Sequence, residues 1–184
     1  VVLSRGLGDV YKRQYLYWAD KLGLLVWAEM PSGRIFSSAL VTSLTEQWLD
    51  LVRRDRGHPS VIGWVPFNES WGVWHIQQRP EQRAFVDGLV ALTKALDSSR
   101  PVIGNDGWEY TSGDLWTLHL YHDDQRSLDE RLAALAADPS QPVTQGERPR
   151  NGALAGSDPA QLPMLLTECG GVGFESDTPN DNAF

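Results

Sequence analysis

The sequence predicts an α/β fold in which a mainly parallel sheet is covered by helices. Short apolar runs alternate with amphipathic stretches of helical period, and five strand candidates can be counted with no internal repeat. Length adds a bound. A closed eight-stranded β/α barrel typically takes about 250 residues, whereas this chain has 184. The pattern therefore fits either an open doubly wound sheet or part of a barrel.

Residues 1–14 contain the mixed segment SRGLGDVYKRQ, which has no clear periodicity and reads as a non-native or unstructured leader. The first strand candidate is Leu22–Ala28, apolar except for its glycine. Leu40, Leu44, Trp48, Leu51 and Val52 then recur at helical spacing with charged residues between them. Ser60–Phe67 is the second strand candidate, introduced by Gly57 and Pro59. Pro80 opens a second helix with the expected buried stripe Phe85, Leu89, Leu92 and Leu96. Pro101–Gly104 and Leu115–Tyr121 are further strands. Ser127 and Glu130 have the spacing of a capping box for a helix carrying Leu128, Leu132 and Leu135. The stretch 138–163 is rich in Pro and Gly and longer than a routine connection. Pro163–Thr167 is the last strand, and 176–184 reads as a truncated polar tail.

Composition excludes several functions. The net charge is −8, with no stripe of Lys or Arg to hold a nucleic acid. A single cysteine, Cys169, cannot form an internal disulfide or a cysteine-based zinc site. No stretch approaches the roughly 20 apolar residues of a membrane span.

Two glutamates stand directly after apolar strands, in VPFNESWG (Glu69) and in LLTECGG (Glu168). In parallel α/β architectures the C-terminal strand ends hold the active site, which would bring both carboxylates to one rim. Glycoside hydrolysis uses such a pair: one carboxyl protonates the leaving oxygen while the other attacks the anomeric carbon. By position alone, each glutamate could equally be a solvent-facing strand terminus.

Three runs tip the balance. YWADKLGLLVWAEMP (17–31), RDRGHPSVIGW (54–64) leading into Asn68-Glu69, and PMLLTECGG (163–171) resemble glycoside hydrolase family 2, in that family's order. The resemblance covers roughly residues 15–175. It implies a partial TIM barrel over about strands three to seven, with the first and last strands missing. It also implies a retaining β-glycosidase of β-galactosidase-like or β-glucuronidase-like type, the former favoured, with no cofactor and no metal required. Glu69 matches the family's acid/base and Glu168 its nucleophile. Asn68 matches the residue that hydrogen-bonds the sugar 2-hydroxyl. Cys169 departs from the bulky aromatic often found after the nucleophile.

Around these, Tyr121 is expected to point its phenol at Glu168, and His119 shares its strand face. For His119 a satisfied core position weighs slightly more than substrate contact. Trp71, Trp74 and Trp108 fall after strand ends where indoles could stack on a sugar, whereas Trp27, Trp64 and Trp116 lie inside strands and belong to the core. Glu29 ends an earlier strand and reads as a supporting hydrogen-bond partner. The run NDGWE (105–109) also looks family-like, though its turn residues could serve only to shape the loop. The expected partner is a β-linked glycoside, not a nucleic acid or a membrane. The rivals are another retaining family with the same two carboxylates and a non-catalytic carbohydrate-binding relative. An incomplete barrel leaves strand edges unpaired, so the isolated chain is expected to be inactive and prone to aggregate.

Overall fold

The computed structural model describes residues 3–6, 12–122, 124–144 and 148–170. Strands and helices alternate: β1 (Leu3–Gly6), α1 (Lys12–Leu22), β2 (Leu25–Glu29), α2 (Ser38–Asp55), β3 (Val61–Val65), α3 (Pro80–Leu96), β4 (Trp116–Leu120), α4 (Gln125–Ala137) and β5 (Met164–Cys169). All pairings between named strands are parallel, in a three-stranded sheet β1-β2-β3 and a two-stranded sheet β4-β5. Residues 101–107 lie between them. Ile103 N donates to Trp64 O at 2.9 Å, and His119 N donates to Gly107 O at 3.1 Å, so this segment bridges β3 to β4. Among the described residues the result is a partial β/α barrel that does not close.

Residues 1–14 include β1, which pairs with β2 from Leu3↔Leu25 to Gly6↔Ala28, and the start of α1. Parallel pairing is made by the backbone, so so short a strand leaves little periodicity to read. The polar tail 176–184 lies outside the described residues. Pro101–Gly104, expected as a strand, makes only single bridges, Trp64↔Val102 in parallel and Ile103↔Gly113 in antiparallel sense. Pro101 has no N–H to give, and Val102 N donates instead to the Asp114 carboxylate at 2.8 Å.

The helices follow their apolar stripes with two corrections. On α3 Leu92 is exposed, and Val86, Val90 and Thr93 join Phe85 and Leu89 inside. At α4 the N-cap is Asp124, whose carboxylate accepts from Ser127 N at 2.9 Å. Aspartate is as good a cap as serine, and it takes the position one step ahead of the helix.

The main core lies between the β2–β3 face and helices α1, α2 and α3. Trp48 and Trp64, both fully buried, meet edge-to-face at 6.1 Å. Each indole N–H finds an acceptor, Thr93 Oγ1 at 2.7 Å and Asp97 Oδ2 at 3.1 Å, so burial leaves neither donor unpaired. Trp27 and Trp116 are buried as expected. A smaller core gathers β4, α4 and the 138–163 segment around Trp116, Leu118 and Leu135. Among the described residues, no helix is long and apolar enough to cross a membrane.

Candidate active site

The carboxylates and the histidine converge at the C-terminal ends of β3, β4 and β5. After β3 the chain runs Pro66-Phe67-Asn68-Glu69, and it is held to the 101–107 segment by Asp106 N to Phe67 O and Glu69 N to Asp106 O, each at 2.9 Å. Glu69 and Ser70 then adopt left-handed backbone conformations, with φ of 52° and 57°. For residues carrying a Cβ this costs roughly 1–2 kcal/mol each. Strain of this kind persists only where surrounding structure imposes it.

His119 sits on β4 opposite Glu168 on β5, just past a register shift between Leu118 and His119. Its ring is buried between three carboxylates. Nδ1 lies 2.8 Å from Glu69 Oε1 and 3.5 Å from Glu168 Oε2, while Nε2 lies 3.4 Å from Asp106 Oδ1. Burial alone would lower its pKa. The hydrogen bonds to Asp106 and Glu69, and the charges of Asp106 and Glu168, outweigh burial and push it up to about 9. The ring is thus an imidazolium at neutral pH, with Nδ1–H donating to Glu69. Asp106, fully buried, resists the upward push of its own burial through the same contacts and is held below the ordinary carboxylate range.

Gly107 makes this arrangement possible. Its φ is 101°, and a Cβ there would stand 2.6 Å from His119 Nδ1. Asp106 ties the centre together, since it also accepts from Thr167 Oγ1 at 2.6 Å, fixing the residue before Glu168. The Tyr121 hydroxyl donates to Glu168 Oε2, the same oxygen that faces His119. One carboxylate oxygen of Glu69, one of Glu168 and a His119 ring nitrogen all lie within 4.8 Å of one another.

The sequence matches the family described as Glycosyl hydrolases family 2, TIM barrel domain, over residues 10–153. The chain belongs to this family. It is 34% identical over 110 residues to the β-glucuronidase of Canis lupus familiaris, covering 56% of this chain and 16% of that enzyme. A β-glucuronidase from Parabacteroides merdae shares the fold with a TM-score of 0.59 at 21% identity, covering 73% of this chain and 19% of that one. A putative β-galactosidase from Bacteroides fragilis does so at 0.60 and 21%, covering 74% and 21%. The chain spans about a sixth of the length of the curated relatives it matches.

The family match includes Glu69, Asp106 and His119 and ends before β5, so within this family 2 barrel the placing of Glu168 is a matter of geometry. Of the expected site residues, the structure brings Glu69, Glu168, His119 and Tyr121 into one cluster. Asn68 adjoins it, with its side-chain oxygen buried and without a hydrogen-bond partner. Trp108 packs edge-on against the His119 ring at 5.8 Å, its indole N–H likewise buried and unbonded. Trp71 is partly exposed and stacks edge-to-face on Trp74 at 4.4 Å. The Trp74 N–H is taken by Arg34 O at 3.1 Å, so that indole is anchored to the β2–α2 connection.

His119 is buried with both ring nitrogens partnered, and those partners make it the contact between the carboxylates. Asp106 is not among the site residues the sequence singles out, although it stands in the family-like run NDGWE. Glu29 is buried at the end of β2. As for a metal, the Glu69–His119–Glu168 trio is the one group of donors close enough among the described residues.

Proposed function

We propose that this chain carries the catalytic centre of a retaining β-glycosidase, with Glu69 as acid/base and Glu168 as nucleophile. The observation that carries the reading is that one oxygen of Glu69 lies within 4.8 Å of one oxygen of Glu168, short of the gap in which an inverting pair seats its water. Retaining enzymes hold the pair about 5–5.5 Å apart, and inverting ones leave room for a water at about 6.5–9.5 Å.

In the first step Glu168 attacks the anomeric carbon while Glu69 passes its proton to the departing oxygen. The glycosyl–Glu168 ester then forms, and Glu69 is left as a carboxylate. In the second step Glu69 takes a proton from water, whose oxygen displaces Glu168. Tyr121 and His119 both address Oε2 of Glu168 and so fix how that carboxylate is turned toward the sugar. The His119 charge also offsets the negative charge that moves from one carboxylate to the other as the ester forms and breaks. Asn68 serves the sugar 2-hydroxyl, a contact that strengthens in the oxocarbenium-like transition state. Trp108, against the His119 ring, offers aromatic surface beside the pair, and Trp71, two residues after Glu69, is the further candidate for stacking on a sugar.

Sequence alone favoured a β-galactoside. The curated relatives matched are β-glucuronidases, which makes a β-glucuronide the first substrate to try. The test is the full-length protein on nitrophenyl β-glucuronide, β-galactoside and β-mannoside. Glu168→Gln is expected to abolish turnover of the accepted sugar. Near wild-type activity in that variant would defeat the nucleophile assignment.

A further inference from the structure

Behind the Glu69 turn lies another carboxylate, which the reaction above does not use. Glu109 is fully buried and is itself left-handed, with φ of 53°. Its Oε2 accepts from the Ser70 hydroxyl and from Arg150 Nη1 at 3.0 Å. Its Oε1 accepts from Gln77 Nε2 at 2.8 Å. Arg150 is held in turn by donating to Trp74 O at 2.9 Å, with its guanidinium 5.3 Å from the Trp74 ring centre. Asn105 closes the network by accepting from Ser70 N at 2.9 Å and donating to the Ser70 hydroxyl at 3.0 Å.

Burying a carboxylate and a guanidinium costs several kcal/mol per ion before their attraction is counted. An apolar side chain would fill the same space without that cost, so packing does not account for Glu109. What the network grips is Ser70, the second of the two left-handed residues. Without that grip, the turn would relax toward ordinary backbone and carry Glu69 away from His119.

We propose that Glu109, with Arg150 as its counter-charge, is a positioning residue that holds the acid/base carboxyl at its working place through Ser70. The proposal rests on the reading of Glu69 as acid/base. It predicts a selective defect. Substrates whose leaving group needs a proton depend on where Glu69 stands, and those whose leaving group departs as a stable anion do not.

The test uses the full-length protein with phenyl and dinitrophenyl β-glucuronides, or the galactosides if the substrate screen selects galactose. Glu69→Ala is measured first. It is expected to lose the phenyl substrate, spare formation of the glycosyl-enzyme from the dinitrophenyl one, and regain turnover with azide. Glu109→Gln is then expected to lower kcat/KM for the phenyl substrate by about 10–100-fold, with a change under about threefold for the dinitrophenyl one. Ser70→Ala should shift the ratio in the same direction, and the double variant should be no worse than Glu109→Gln, because both act through one bond. Equal losses on both substrates, or none, in a folded Glu109→Gln protein would overturn the role of Glu109. Should that variant not fold, the same outcomes in Ser70→Ala decide. If Glu69→Ala itself shows no split between the substrates, the acid/base assignment falls and takes the positioning role with it. A split in Glu69→Ala without one in Ser70→Ala and Glu109→Gln removes the positioning role alone.

Discussion

His119 concentrates the electrostatics of the centre in one ring. Its pKa rises from an ordinary 6.5 to about 9 in the folded protein. A group that binds its proton more tightly when folded stabilises the fold fully below the unfolded value, and that contribution is lost as pH climbs through the folded one. Stability against denaturant in the full-length protein is therefore expected to decline between pH 6.5 and 9. The decline should flatten in His119→Gln, and parallel pH profiles for the two proteins would show that the ring is not charged. Gly107 belongs to the same scale. Replacing it with alanine would force a Cβ to 2.6 Å from the ring at a positive φ. Gly107→Ala is expected to displace His119 and to cut kcat by about a hundredfold or more, read from steady-state kinetics beside a melting curve.

At the scale of elements, α2 and α3 pack on the β2–β3 layer through a core in which Trp48 and Trp64 are the largest side chains. Trp48→Ala removes a fully buried indole together with its bond to Thr93. It is expected to cost about 3–5 kcal/mol, measurable by denaturant titration. These helices were legible in advance because an apolar stripe three or four residues apart is a strong local signal. Leu92 falls on that stripe but is exposed, since the buried face of α3 is turned toward Val86, Val90 and Thr93. Asp124 and Ser127 both suit the α4 cap by residue type, and only the backbone shows that Asp124 is the one preceding the helix. Glu69 and Glu168 were readable because each sits in a distinctive run after an apolar strand. Asp106, Glu109 and Arg150 were not, since their importance lies in partners far away in sequence. The Arg150–Glu109 contact spans 41 positions, and Arg150 itself stands in a stretch that reads as an irregular loop.

The whole molecule presents strand edges. Among the described residues β1 and β5 each pair on one side only, and every residue of β5 is at least partly exposed. Unpaired edges of this kind invite pairing with other chains. The isolated 184-residue chain is expected to aggregate on heating and not to unfold reversibly; repeat melts followed by light scattering would check this, and superimposable scans would contradict it.

The β4–β5 pairing also sets when the centre can first exist. Glu69 and His119 are 50 positions apart, and Tyr121 and Glu168 a further 47, so their meeting waits on long loops closing. During synthesis the Glu69 turn, Asp106 and His119 all emerge well before Glu168. On the proposed roles, a nascent chain grown only through α4 has its acid/base carboxyl without its nucleophile. Addition of one strand to the open edge of β4 then delivers Glu168 to His119 and Thr167 to Asp106 together. On the proposed roles no turnover can precede that docking, so a chain that stops at α4 is silent, not slow.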